Sequence, residues 1–219
     1  SGTTLFAGGD FTRVNGTAIT RNRLAAFDTT QATSNVLPFD PDVNSTVTSI
    51  AVSGTTLYAG GAFYYTNNNT IYRQYLAAFD TTKATSNVLP FNPNPNSNVV
   101  SLALSGTTLY AGGYFADVGG TTRNRLAALD TTKATDNVIA GFDPSLGDVA
   151  LALAVDATTV YAGGAFRIAN MKPRNNIARI DTATNTVSSF DANVNGPVNA
   201  LLLSGGSLYA GGSFGSVNG

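Results

Sequence analysis

Three observations predict an all-β fold, a β-propeller whose four-stranded blades are each about 50 residues long. The stretch Leu57-Tyr58-Ala59-Gly60-Gly61-Ala62-Phe63 is one of five near-copies in 219 residues, the others at 5–11, 109–115, 160–166 and 208–214. Short apolar segments of strand length alternate with stretches rich in Gly, Pro, Asn, Asp and Thr, which is the strand-and-turn signal. The Ala-rich runs, such as Leu24-Ala25-Ala26-Phe27, are bracketed by turn residues and too short for a helix.

Aligned on the recurring stretch, the repeats start at Ser1, Ser53, Ser105, Asp156 and Ser204, in steps of 52, 52, 51 and 48 residues. Four are complete and the fifth stops at Gly219. No linker or shift in composition interrupts them, so residues 1–219 read as a single propeller domain or part of one. A solenoid coil would repeat at roughly 20–30 residues, and a sandwich needs no such period.

The second repeat shows how the elements follow from the residues. Thr48-Ser49-Ile50-Ala51-Val52 alternates as a half-buried strand does, and Ser53-Gly54 turns it. The recurring stretch is the second strand. Tyr75-Leu76-Ala77-Ala78-Phe79 is the third, closed by Asp80-Thr81-Thr82, whose short polar side chains bond their own backbone in turns. Asn87-Val88-Leu89-Pro90-Phe91 is the fourth, ended by Asn92-Pro93-Asn94-Pro95-Asn96.

Strand counting raises a question of closure. The chain begins at the second strand of its first repeat, and Val198-Asn199-Ala200-Leu201-Leu202-Leu203 is able to supply the missing first one and close a four-bladed ring. That leaves residues 204–219 as a surplus strand, an aggregation liability, so the preferred reading is that they open a fifth blade. An incomplete repeat at each end implies strand exchange with more of the same protein or another subunit. With no initial Met and no signal peptide, Ser1 reads as the start of a processed product, an excised domain or a piece of a longer chain.

Composition narrows the function. Charged residues make up 11%, less than half the roughly 25% of an average soluble domain, and Thr, Asn, Ser and Gly replace them. A net charge of −1 offers no basic footprint for nucleic acid, and no apolar run approaches the ~20 residues of a membrane span. Cys, His, Trp and Glu are absent and all 13 acids are Asp, which excludes thiol chemistry and removes the usual general acids and bases. The chain is read as non-catalytic.

These residues carry a family resemblance. Leu5-Phe6-Ala7-Gly8-Gly9-Asp10-Phe11, then Val14-Asn15-Gly16, then Arg21-Asn22-Arg23-Leu24-Ala25-Ala26-Phe27-Asp28 resembles the Delta-60 β-propeller repeat of bacterial cell-surface and secreted proteins. Arg123-Asn124-Arg125-Leu126-Ala127-Ala128-Leu129-Asp130 repeats the last part, while the fourth copy, Arg174-Asn175-Asn176-Ile177, and the second, Arg73-Gln74-Tyr75-Leu76, depart from it. The repeats also look like those of fungal cortical-marker propellers. The resemblance implies a propeller, an extracellular or surface location, and no established catalytic residues.

The Gly-Gly pair lies inside a strand with no Lys-Ser/Thr or helix after it, so it reads as room for close backbone approach rather than a phosphate loop. The Phe that follows it in each copy reads as core. Arg21, Arg73, Arg123 and Arg174 recur once per repeat, as do Asp28, Asp80, Asp130 and Asp181. Recurrence points to scaffold, with Arg donating to carbonyls or pairing with Asp.

Two loops offer candidate sites. Asp40, Asp42 and Asn44 place oxygens at a spacing of two, a weak Ca²⁺ pattern that Asn92, Asn94 and Asn96, then Asp143 and Ser145, then Asp191, Asn193 and Asn195 echo. No other cofactor is expected. The second repeat has the most individual loop, with Tyr64, Tyr65, Asn67, Asn68, Tyr72 and Tyr75; aromatic faces beside amides suit glycan binding. Asn15-Gly16-Thr17, Asn44-Ser45-Thr46 and Asn68-Asn69-Thr70 fit the glycosylation sequon. The expectation is an extracellular structural, adhesive or assembly module. The alternatives are a lectin-like propeller and an Asp-dependent polysaccharide hydrolase, for which no particular pair of Asp stands out.

Overall fold

The computed structural model describes residues 2–16 and 18–218; Ser1 and Thr17, which completes the first sequon, lie outside them. Described secondary structure is all strand, bridge and turn, and no helix is long and apolar enough to cross a membrane. The first repeat holds β1 (Thr4–Gly8), β2 (Arg13–Val14), β3 (Ile19–Thr20) and β4 (Leu24–Asp28). The second holds β5 (Val47–Ser53), β6 (Thr56–Gly61), β7 (Tyr65–Thr66), β8 (Ile71–Tyr72) and β9 (Leu76–Asp80). In the third are β10 (Val99–Ser105), β11 (Thr108–Gly113), β12 (Asp117–Val118), β13 (Thr121–Thr122) and β14 (Leu126–Asp130). The fourth has β15 (Ala150–Val155), β16 (Thr159–Gly164), β17 (Ile168–Ala169), β18 (Lys172–Pro173) and β19 (Ile177–Asp181), and the fifth β20 (Val198–Ser204) and β21 (Ser207–Gly212).

The middle repeats each form an antiparallel three-stranded sheet, β5-β6-β9, β10-β11-β14 and β15-β16-β19, while the ends form the pairs β1-β4 and β20-β21. The anticipated fourth strand is reduced to a single bridge at Val36, Val88, Val138 or Val187. Proline at position 38 or 90 removes a ladder donor just past that bridge in the first two repeats, but Ala140 and Ser189 stand there in the third and fourth, where the pairing is equally short. Between the second and third strands of the first four repeats, a two-residue hairpin projects: β2-β3, β7-β8, β12-β13 and β17-β18. The segment 198–203 pairs with β21, not with β1, so no sheet joins the first and last repeats among the described residues.

The core lies between sheets rather than within one. Leu24, Ala26, Phe39 and Val43 of the first repeat pack with Val47, Leu57, Ala59, Phe63, Ala77 and Phe79 of the second, and the next two junctions repeat the arrangement. Both faces of each central strand are therefore apolar: Leu57, Tyr58 and Ala59 are all buried. A single repeat cannot hide two apolar faces, so the repeats are stable only as a stack.

Packing accounts for the paired glycines. A Cβ on the first glycine would stand 2.6 Å from Val47 Cγ1 at Gly8, 2.6 Å from Val99 Cγ1 at Gly60 and 2.7 Å from Val198 Cγ1 at Gly163. A Cβ on the second would collide with a backbone oxygen of its own sheet, Thr46 O at Gly61, Asn98 O at Gly113 and Val149 O at Gly164. The first glycine admits the next sheet and the second admits a bulge, which the ladder shows as a register shift between Val47 and Ser49. Phe63, Phe115 and Phe166 are fully buried, as the sequence suggests; each contributes about 1.5–3 kcal/mol.

The recurring Asp of each third strand ends in a turn it caps itself. Asp28 Oδ1 accepts from the Thr30 hydroxyl and N–H, and Asp80 and Asp130 repeat this with Thr82 and Thr132. These bonds, the Thr hydroxyl first, hold the three carboxyls below the usual range, and at Asp181 the Thr184 N–H leads the same effect. A lowered folded-state pKa contributes stability above the unfolded value of 3.8, and that stability is lost as pH falls below it. The thermal midpoint should accordingly hold from neutrality to mild acid and fall below the carboxylate range. Asn at all four positions should flatten that fall; an unchanged acid limb in the quadruple variant would refute the assignment.

Candidate functional site

The oxygen pattern of the loops 40–44, 92–96, 143–145 and 191–195 divides among different partners. The first residue faces the recurring Arg: Arg21 Nη1 lies 3.5 Å from Asp40 Oδ2, Arg123 Nη1 3.8 Å from Asp143 and Arg174 Nη1 3.8 Å from Asp191. The middle residue is left-handed, with φ of 47° at Asp42, 53° at Asn94, 40° at Ser145 and 42° at Asn193. It accepts from an amide of the RN pair: Asn22 Nδ2 to Asp42 at 2.6 Å, Asn124 to Ser145 at 3.1 Å and Asn175 to Asn193 at 2.7 Å. The third clamps the next repeat's hairpin. Asn44 Oδ1 accepts from the Tyr64 and Tyr65 N–H groups, Asn96 from Ala116 and Asp117, and Asn195 from Gly215 and Ser216.

Asp40, Asp42 and Asn44 thus each serve a different part of the scaffold. Among the described residues no three His, Cys, Asp or Glu side chains gather as a metal site. The Asp40 carboxyl is raised by burial despite Arg21, so its charge is not freely offered. Sequence reasoning missed this three-way division, although the spacing of two was its visible signal.

The recurring Arg serves the backbone. Arg21 donates to Thr20 O and Leu37 O, Arg73 to Tyr72 O and Leu89 O, and Arg123 to Thr122 O, Ile139 O and Ala140 O. Each ties the projecting hairpin to the outer segment, which has few ladder bonds of its own. Its carboxylate partners come from the loop after the outer segment; Asp28, Asp80, Asp130 and Asp181 stay with their turns.

The tyrosine loop of the second repeat stands apart from this scheme. Asn67, Asn68 and Asn69 are consecutively left-handed, with φ of 52°, 56° and 60°, which Asn tolerates better than most residues. They bring Tyr65 and Tyr72 face to edge at 5.4 Å, 40% and 46% exposed. Tyr72 OH donates to Gln74 Oε1, and Asn67 Nδ2 donates to Thr70 Oγ1 at 3.0 Å. Tyr75 occupies the left-handed position, φ 63°, that Arg23, Arg125 and Asn176 hold in the other repeats. It is buried, its ring lies 4.9 Å from Tyr64, and the two hydroxyls hydrogen-bond. The rings thus form two pairs, Tyr65 with Tyr72 on the hairpin and Tyr64 with Tyr75 beside it; Tyr64, Tyr65 and Tyr72 are open to solvent, and Asn68 is exposed in the same loop.

Burial, reinforced by the Tyr64 hydroxyl, pushes the Tyr75 phenol up to about 12. The raised pKa means that its contribution is intact below the ordinary value of 10.0 and is lost as pH rises toward 12. An ultraviolet titration should show a late-ionising phase to which Tyr75 contributes together with Tyr110, whose phenol is also raised by burial, and Tyr75→Phe should diminish that phase. A late phase unchanged in Tyr75→Phe would disprove it.

Two equivalent clefts lie elsewhere. One of about 270 Å³ sits between Phe6, Pro38 and Phe39 of the first repeat and Thr81, Thr82 and Lys83 of the second. Its counterpart of about 210 Å³ sits between Tyr58, Pro90 and Phe91 and Thr131, Thr132 and Lys133. Neither contains the tyrosine loop.

Comparison with solved structures covers nearly the whole chain. The computationally designed Ika8 protein matches over 95% of this chain and 52% of its own, with a TM-score of 0.59 at 14% identity. A chain of the mitotic checkpoint complex matches over 86% and 51%, at 0.58 and 15%. The designed Ika4 protein matches over 80% and 90%, at 0.52 and 17%. In fold, the chain is similar to β-propellers. It spans about half the length of two of these three. No family model matches the sequence, and no curated protein does.

Proposed function

We propose that the chain is a non-catalytic extracellular or cell-surface β-propeller, built of four-stranded blades of the Delta-60 kind and acting as a structural, adhesive or assembly module. The observation that carries this reading is the employment of the recurring polar residues. The recurring Arg and Asp, and the loop residues Asn44, Asn96 and Asn195, bond to the scaffold, so the recurring positions hold the stack together and what varies is the exposed hairpin. Two measurements on the native source test it. Protease shaving of intact cells should release peptides of this chain, and the purified protein should turn over no member of a polysaccharide and ester panel. Protection from shaving, or turnover abolished by one Asp→Asn change, would overturn the proposal.

A lectin-like role is the second reading, favoured by the solvent-open rings of Tyr64, Tyr65 and Tyr72 and the exposed Asn68 of the same loop. Glycan-array binding lost on Tyr65→Ala and Tyr72→Ala would establish it; an empty array would dispose of it.

A further inference from the structure

The repeats differ in what their hairpins send toward the segment that leads into the outer bridge. In the fourth repeat two side chains of β17-β18 reach it. Asn170 Nδ2 donates to Asn185 O at 3.3 Å, and Lys172 Nζ donates to Val187 O at 2.9 Å. In the third repeat Gly119 and Thr121 hold those two positions, one with no side chain and the other too short for the lysine's contact. A cavity of about 250 Å³ lies there, between Asn92 and Pro93, the β12-β13 hairpin and segment 135–138. The turn itself does not demand its glycines, since Asn170 and Met171 adopt the same left-handed pair of conformations, with φ of 47° and 59°.

Asn137 lines this cavity while only 2% exposed, and its Nδ2 has no hydrogen-bond partner among the described residues. The same nitrogen of Asn87, one repeat earlier, donates to Ala84 O at 3.2 Å. A buried donor without an acceptor is rare in a folded chain and calls for a partner. The unpaired Oδ1 of Asn92 is different, because it recurs at Asp40 and Asp143 and so marks nothing particular to this cavity. Asp136 also lines the cavity, where Ser34, Ser86 and Asn185 stand in the other repeats. The cavity therefore adds a carboxylate and an unpaired amide at the place where the fourth repeat holds an ammonium.

We propose that the cavity binds a small protonated amine with a hydroxyl on the neighbouring carbon, the β-amino alcohol of an amino sugar or of ethanolamine. The fourth repeat supplies the template. A ligand ammonium takes the part of Lys172 against Val138 O, the counterpart of Val187 O, and its remaining donors go to the Asp136 carboxylate and a threonine hydroxyl. The ligand hydroxyl accepts from Asn137 Nδ2. Thr121, Thr135 and Asp136 are exposed, so the mouth is open to solvent. The site lies at the junction of the second and third repeats, apart from the tyrosine loop, and depends on neither reading of function above.

Nuclear magnetic resonance titration of the nitrogen-labelled 219-residue protein tests this, at slightly acid pH where the amines are protonated. Ethanolamine and glucosamine should shift the amide signals of Gly119, Thr121 and Asn137 saturably. N-acetylglucosamine, which carries no charge, should bind at least roughly tenfold more weakly than glucosamine. Asp136→Asn and Asn137→Thr, which install the residues of the fourth repeat, should each weaken binding by roughly tenfold. Thr121→Lys should abolish it with the urea midpoint held, because the new ammonium occupies the ligand's place. Asp136→Asn changes an exposed side chain and so tests the site without touching the packing. Binding of only one of the two amines supports the proposal and tells which source the site reads. The absence of saturable shifts, equal binding of N-acetylglucosamine, or full binding by Asp136→Asn overturns it. Shifts confined to residues 64–75 overturn it as well, placing the amine on the tyrosine loop.

Discussion

Gly113→Ala is expected to destabilise the protein by about 3 kcal/mol or more, while Gly9→Ala, at the same place in the repeat, costs less than about 1 kcal/mol. Neither glycine has a positive φ, so the difference does not come from backbone freedom. At Gly113 the new methyl would overlap Asn98 O and lie 3.0 Å from Val99 Cα. Asn98 immediately precedes β10 and Val99 is its first residue, at the bulge that the sheet must keep. Relief would require opening the β10-β11 ladder at its bulge. Set against a total stability of about 5–15 kcal/mol, such a loss is large. Urea unfolding of the two variants beside the wild type is the measurement; equal losses would show that the pair is kept for a reason other than close approach.

Phe115→Ala should cost about 3–5 kcal/mol. The ring is fully buried in the junction between the second and third sheets, among Phe91, Leu109, Val118 and Leu129, and the ladders on either side limit how far that pocket can collapse. Phe214→Ala, in the corresponding position of the last repeat, should cost clearly less, because Phe214 is only partly buried. Chemical denaturation of the pair checks this, and a Phe214 loss as large as that of Phe115 would contradict the placement of the cores between sheets.

Much of this architecture was legible in the sequence, for a physical reason. A motif that recurs at a fixed step must meet similar surroundings each time, so Gly60-Gly61 and Phe63 could be assigned to packing before any neighbour was known. The strand order within a repeat was equally readable, since turns such as Asp80-Thr81-Thr82 announce themselves. The outer strand is shorter than its residues suggest: Asn87 to Phe91 pairs through one bridge at Val88, as the third repeat does at Val138 with no proline after it. The loop 40–44 shows a different limit. Spacing reveals that three side chains alternate, but not that Asp40, Asp42 and Asn44 turn toward an arginine, an asparagine and the neighbouring hairpin. The tyrosine loop was recognised as exceptional because it broke the pattern, yet the burial of Tyr75 beneath Tyr64 depended on a left-handed backbone position that only comparison with Arg23 and Arg125 in three dimensions exposes.

The slight attachment of the outer segments sets a gradient of mobility across each sheet. In the second repeat, two backbone bonds hold that segment, Asp80 N to Asn87 O at 2.7 Å and Leu89 N to Ala78 O at 2.8 Å, whereas the inner strands share a full ladder. Amide hydrogens near Asn87 and Leu89 should exchange through small local openings, and those of Tyr58 and Ala59 only through much larger ones. The rim would then breathe on a faster clock than the centre. Insertions and cleavage would be tolerated at the rim first, with the stacked middle strands left undisturbed.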